Sequence, residues 1–234
     1  MRQTLTRIDT LLRGGFTQRE TLGEGRVDVD VRQLASAALP LGVVYGLFMS
    51  LYSVMRGGAG STLQLIATSL KVPMLFLLTL LVTLPSLYVL SALARSRLSY
   101  VHTVRLLLAA VTVNLALLAS FGPVTAFFTL STESYPFMIL LNVAFFAVSG
   151  SVGLSFLRKA LDIVFEGATA PAIPRPDPAA RVFKAWTLIY AVVGAQMGWI
   201  LRPFVGAPGV PFQWFRERES NFFVAVWDSL LRLF

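Results

Sequence analysis

The chain has 234 residues, of which 56% are hydrophobic and only 14% charged, with a formal net charge of +8 and a mean hydropathy of +0.70. A soluble globule carries about 25% charged residues, so the composition argues against a soluble enzyme, a disordered tail or a coiled coil. It points instead to an all-α integral membrane protein. With no cysteine, disulfides, thiolate metal sites and cysteine nucleophiles are excluded, and the single histidine, His102, cannot build a His-rich metal centre.

Residues 1–33 read as a polar, arginine-rich arm without a signal-peptide pattern. Within it Leu5, Ile8 and Leu12 recur at helical spacing among Arg2, Arg7 and Arg13, predicting a short basic amphipathic helix that lies on an anionic membrane face. Five stretches then approach the roughly 20 apolar residues that a spanning helix requires. They run from about Leu34 to Met55, Val72 to Ala94, Val104 to Phe121, Tyr135 to Leu157 and Val182 to Leu201, with Gly122-Pro123 closing the third. The expected fold is thus a polytopic helix bundle over residues 34–201. A proline-rich stretch at residues 167–180, GATAPAIPRPDPAA, reads as a stiff connector between the fourth and fifth spans.

The tail, residues 202–234, opens with RPFVGAPGVPFQWF. Its prolines and glycines break a helix, while Trp199 and Trp214 suit a headgroup interface, so an interfacial loop is expected rather than a re-entrant one. Phe222, Phe223, Val226, Trp227, Leu230, Leu231 and Phe234 then form an amphipathic segment too short to span. Arg202, Phe204, Phe212, Trp214, Phe215 and Trp227 are the candidate interface or partner residues.

Fourteen of the twenty basic residues lie in the arm, the connection between spans two and three, and that between spans four and five. Five spans place those regions on one side, so the positive-inside rule makes the N-terminus cytoplasmic. Basic residues in such a protein set topology and touch anionic headgroups, which explains the net charge without nucleic acid. Lysine occurs only at Lys71, Lys159 and Lys184; the arginine bias fits a GC-rich bacterial genome and hence an inner membrane.

Apart from Arg105 and Lys184, at the first turns of the third and fifth, the five spans hold no Asp, Glu, Lys, Arg or His, which argues against proton relays and ion pathways. Metalloprotease, nucleophile-elbow and phosphate-loop signatures are absent too, so no enzyme, metal or cofactor is expected. The spans do offer small-residue faces for close helix approach: Gly42 and Gly46, Ser149 and Gly153, and Gly194 and Gly198. Asn114, Asn142 and Gln196 are their only amides, read as glue between helices.

A polar N-terminal region followed by five closely spaced apolar helices resembles the Yip1-type membrane proteins in topology; their acidic-Leu-Tyr-Gly-Pro motif is absent, Phe121-Gly122-Pro123 being only a fragment of such a pattern. The resemblance covers roughly residues 34–201, carries over no functional residue, and implies a membrane-shaping or adaptor role. The expected function is accordingly a non-catalytic scaffold or accessory subunit, binding lipid headgroups and either a second copy or a membrane-protein partner. The alternative is a homo-oligomeric pore lined by Thr112, Asn114, Asn142, Ser149 and Gln196.

Overall fold

The computed structural model describes residues 30–56, 61–93, 99–166, 178–216 and 221–232. The arm before residue 30, most of the 167–180 connector and the glycine turn at 57–60 lie outside the described residues. Among the described residues the fold is all-helical, with α1 (Val31–Arg56), α2 (Ser61–Leu93), α3 (Tyr100–Ser131), α4 (Tyr135–Glu166), α5 (Pro178–Leu201) and α6 (Phe222–Leu231).

Helices α1 to α4 each contain a segment long and apolar enough to cross a membrane. The expected fifth span, α5, is not among them, because Lys184, Trp186, Tyr190, Gln196 and Trp199 dilute its apolar residues. It nevertheless runs antiparallel along α2. Trp186 Nε1 donates to Thr83 O at 3.3 Å, and further on a methyl group built on Gly194 would touch Thr79 and one on Gly198 would touch Leu75, each at 3.6 Å. Residues 203 and 204 then reach Gln64. The chain therefore returns past the same depth as α2, and the tail emerges at the opposite end of the bundle from Val31.

Two sequence boundaries need correction. Helix α3 does not stop at Gly122-Pro123 but runs through to Ser131. Proline removes one hydrogen bond, but in hydrocarbon no water can replace the rest of the ladder, so the helix continues. The Pro123 ring is exposed, so it meets no packed neighbour. Second, α2 begins at Ser61 rather than Val72, which puts Lys71 inside a candidate span running from Thr62 to Val89. The helices also take in His102, Arg105, Arg158, Lys159, Asp162 and Lys184. A hydropathy reading ends a span at the first charge, whereas the backbone ladder ends only where its hydrogen bonds do.

Helix α1 is the centre of the bundle, packed between α2 and α3, with α4 on the outside of α3 and α5 on the outside of α2. Helices α4 and α5 barely touch each other, and α6 leans on both. Glycine explains the closeness of α1 and α2: a Cβ on Gly46 would come to 2.6 Å of Ser69 Cα, and one on Gly42 to 2.9 Å of Pro73 Cβ. Helices α3 and α4 are joined by only three residues, which makes them antiparallel neighbours, and the stacked rings of Phe121 and Phe145, 4.6 Å apart, lock the pair. Tyr45, Tyr52, Leu118, Met138 and Trp186 are fully buried in the resulting core.

Candidate functional site

The most unusual chemistry in the molecule is the lysine that the sequence placed outside the spans. Lys71 lies about a third of the way along α2 and is 2% exposed. A cation at such depth costs roughly 2.5–3.5 kcal/mol even on insertion-derived scales, so its surroundings must supply negative charge. They do so without a carboxylate among the described residues. Lys71 Nζ donates to Pro203 O at 3.3 Å and to Trp214 O, and sits 5.2 Å from the centre of the Phe215 ring.

The sequence of the tail explains why those carbonyls are available. Pro203, Pro208 and Pro211 prevent residues 203–215 from forming a helix, so their carbonyl oxygens need donors from elsewhere. Helix α2 provides three on one face, at positions i, i+4 and i+7: Gln64, Thr68 and Lys71. Gln64 Nε2 donates to Pro203 O at 3.0 Å and Phe204 O at 3.1 Å, and Thr68 Oγ1 donates to Phe204 O at 2.6 Å. Leu201 and Val205 are buried beside them. Gly206, at φ 72°, fits where a Cβ would meet Ser53 Oγ at 2.7 Å. Arg216 N closes the loop on Arg202 O at 3.4 Å. The segment is thus clasped against α2 by side-chain donors and backbone acceptors.

Other charges collect at the same end. Arg56 pairs with Glu133 and donates to Thr132 O at 3.3 Å, while Tyr52 OH donates to Glu133 O at 2.7 Å. These contacts pin the end of α1 to the α3–α4 turn. The Arg202 guanidinium stacks 3.5 Å above the Trp199 ring, a cation–π contact, and both Arg202 and Arg216 face Tyr135.

Comparison with known proteins leaves these contacts as the basis for function. No protein-family model matches the chain, and no curated protein or solved structure matches it either.

The three amides take different positions. Asn142 is buried, accepts from Tyr45 OH at 2.7 Å and donates to Met138 O at 2.7 Å, tying α4 to α1. Asn114 is buried at the wall of a narrow crevice lined from α2, α3, α4 and α5, where its Oδ1 has no partner among the described residues. Gln196 is half-buried on α5. Ser149 is buried and donates to its own helix at Phe145 O, 2.7 Å away. Gly153 lies tightly against α3, since a Cβ there would sit 3.1 Å from Ala110 O, whereas Gly194 and Gly198 leave room for a methyl group. Gly122, read as a helix end, holds the ring of Phe48, which would lie 2.2 Å from a Cβ.

The tail aromatics divide into two sets. Phe204 and Phe212 are half-buried, whereas Trp214, Phe215 and Trp227 are 48%, 58% and 61% exposed. The sequence reading missed Gln64, Thr68, Lys71 and Tyr45. The first three were findable as one polar stripe at helical spacing; the partner of Tyr45 lies 97 positions away and left no local trace.

Proposed function

We propose that the chain is a non-catalytic membrane scaffold or accessory subunit that recruits a membrane-protein partner through the aromatic surface of its tail. The observation that carries this reading is the contrast within the tail. Its backbone carbonyls are engaged by Gln64, Thr68 and Lys71, while Trp214, Phe215, Phe223 and Trp227 turn outward. A clasped loop presents these rings with its ordering cost already met, which is how a preorganised binding surface gains affinity. Arg202 and Arg216 on the same segment suit anionic headgroups at its edge.

The pore reading has less support. Thr112, Asn142 and Ser149 are buried within a single bundle and bonded inside it, so they do not face an axis between copies. We place the N-terminus in the cytoplasm of a bacterial inner membrane, with the tail at the opposite face. Reporter fusions after Arg19 and near Ala170 should then both read cytoplasmic.

The test is affinity purification in mild detergent of the intact protein and of a Trp214→Ala, Phe223→Ala, Trp227→Ala variant. The clasp uses backbone oxygens of residue 214, so the variant keeps its fold. A partner retained by the intact chain and lost from the variant supports the reading. An identical set of companions for both, at equal thermal stability, overturns it.

A further inference from the structure

Helix α5 carries an amide that its own bundle does not satisfy. Gln196 forms no hydrogen bond among the described residues, in contrast to Asn142 on α4. Its depth is fixed by its neighbours on α5: Gly194 lies beside Thr79 and Gly198 beside Leu75, near the midpoint of α2. Six residues of helix, about 9 Å, separate Gln196 from Arg202, too far for a glutamine to reach the headgroups. Its direction follows from helical geometry. Trp186, Tyr190, Gly194 and Leu201 turn toward α2 and the core, whereas Ala185, Ile189, Val192 and Gln196 line the other side at 100° per residue. Ile189 and Val192 are each 43% exposed. The amide therefore sits half-buried at the end of an apolar stripe, one turn before the buried Trp199, and in hydrocarbon an unpaired polar group costs several kcal/mol.

We propose that this stripe is the contact between two copies of the chain, with Gln196 of each hydrogen-bonded to Gln196 of the other across a two-fold axis. A carboxamide holds one acceptor and an NH₂ donor, so an identical amide in reverse satisfies both without any other component. A two-fold contact sets the same residue opposite itself, as that pairing requires. Helix α5 packs mainly on α2, and a second copy covers its remaining face. The proposal rests on the membrane placement of α5 and not on recruitment by the tail.

The absence of cysteine makes the test direct. Single Ile189→Cys, Val192→Cys and Gln196→Cys variants of the full chain are oxidised in native membranes, with Tyr190→Cys and Gly194→Cys as inward-facing controls. Disulfide dimers of this chain at the outer positions and not at the controls are expected. In detergent, Gln196→Leu should weaken dimerisation about ten-fold, while Gln196→Asn retains it in part. Leucine suits a lipid-facing site, so a folding defect does not confuse the result. Equal dimerisation of Gln196→Leu and the natural chain, or a monomer throughout, overturns the proposal. So does crosslinking of position 192 to a different protein. Dimers without companions contradict only the recruitment reading, and companions without dimers contradict only this one.

Discussion

Two glycine-to-alanine substitutions, chemically identical, should change stability in opposite directions. At Gly46 the new methyl group would stand 2.6 Å from Ser69 Cα and 2.8 Å from Thr68 O. Carbon contacts are comfortable at about 3.5–4.0 Å, so α1 and α2 must separate by on the order of 1 Å. Both obstructing atoms are backbone and cannot rotate aside, and α1 is already held from the other side by α3. Overpacking of this kind costs about 1–3 kcal/mol, which exceeds the roughly 0.5–1 kcal/mol that alanine gains over glycine inside a helix. At Gly194 the methyl group meets Thr79 at 3.6 Å, an ordinary contact, and the helical gain remains. With each kcal/mol moving the melting temperature by about 2–4 °C in a chain of this size, the two variants should melt roughly 5 °C apart, Gly46→Ala below and Gly194→Ala above the natural chain. Fluorescence-detected size exclusion after heating, in one detergent, measures the difference. A Gly46→Ala protein that melts at or above Gly194→Ala would refute the close α1–α2 contact.

Replacing Lys71 by Met removes the donor to Pro203 O and Trp214 O, and hydrogen bonds to charged groups contribute about 1.5–3 kcal/mol. Backbone amides between residues 203 and 215 should then exchange with solvent at least about ten-fold faster by mass spectrometry, and unchanged protection would show that the lysine does not hold the tail. Tyr45→Phe leaves Asn142 Oδ1 without its donor inside the bundle, at a cost of about 1–3 kcal/mol. Adding Asn142→Leu should restore part of that loss; a double variant whose melting temperature falls by the sum of the two single losses would rule out the coupling.

The number, order and antiparallel alternation of the long helices were legible because apolar runs interrupted by charge and glycine are a property of neighbouring residues. What sequence misjudged was where those helices stop. Pro123 and Lys71 both read as ends, yet the ladder of backbone bonds passes through each, for in a bilayer no other partner for the backbone exists. The clasp was visible only in halves. Gln64, Thr68 and Lys71 form a recognisable stripe, and the prolines of residues 203–211 announce unspent carbonyls, but 132 positions separate Lys71 from Pro203 and no local pattern joins them. Glycine spacing was likewise informative about possibility rather than contact. Gly46 and Gly194 belong to the same motif, and only the neighbouring helix decides that one is crowded and the other has room.

The distance between the two halves of the clasp also sets an order of events when the protein is made. Helix α2 enters the membrane carrying a cation whose acceptors have not yet been translated. At about 5–20 residues per second, the 132 positions to Pro203 take roughly 7–26 s, and the Trp214 carbonyl arrives later still. Throughout that interval the insertion machinery or the headgroup layer must shelter the Lys71 ammonium. A ribosome that stops early leaves it uncovered for good. Membrane proteases that sense a loose, charged helix should therefore clear products ending before residue 203 faster than products that contain residues 203–214.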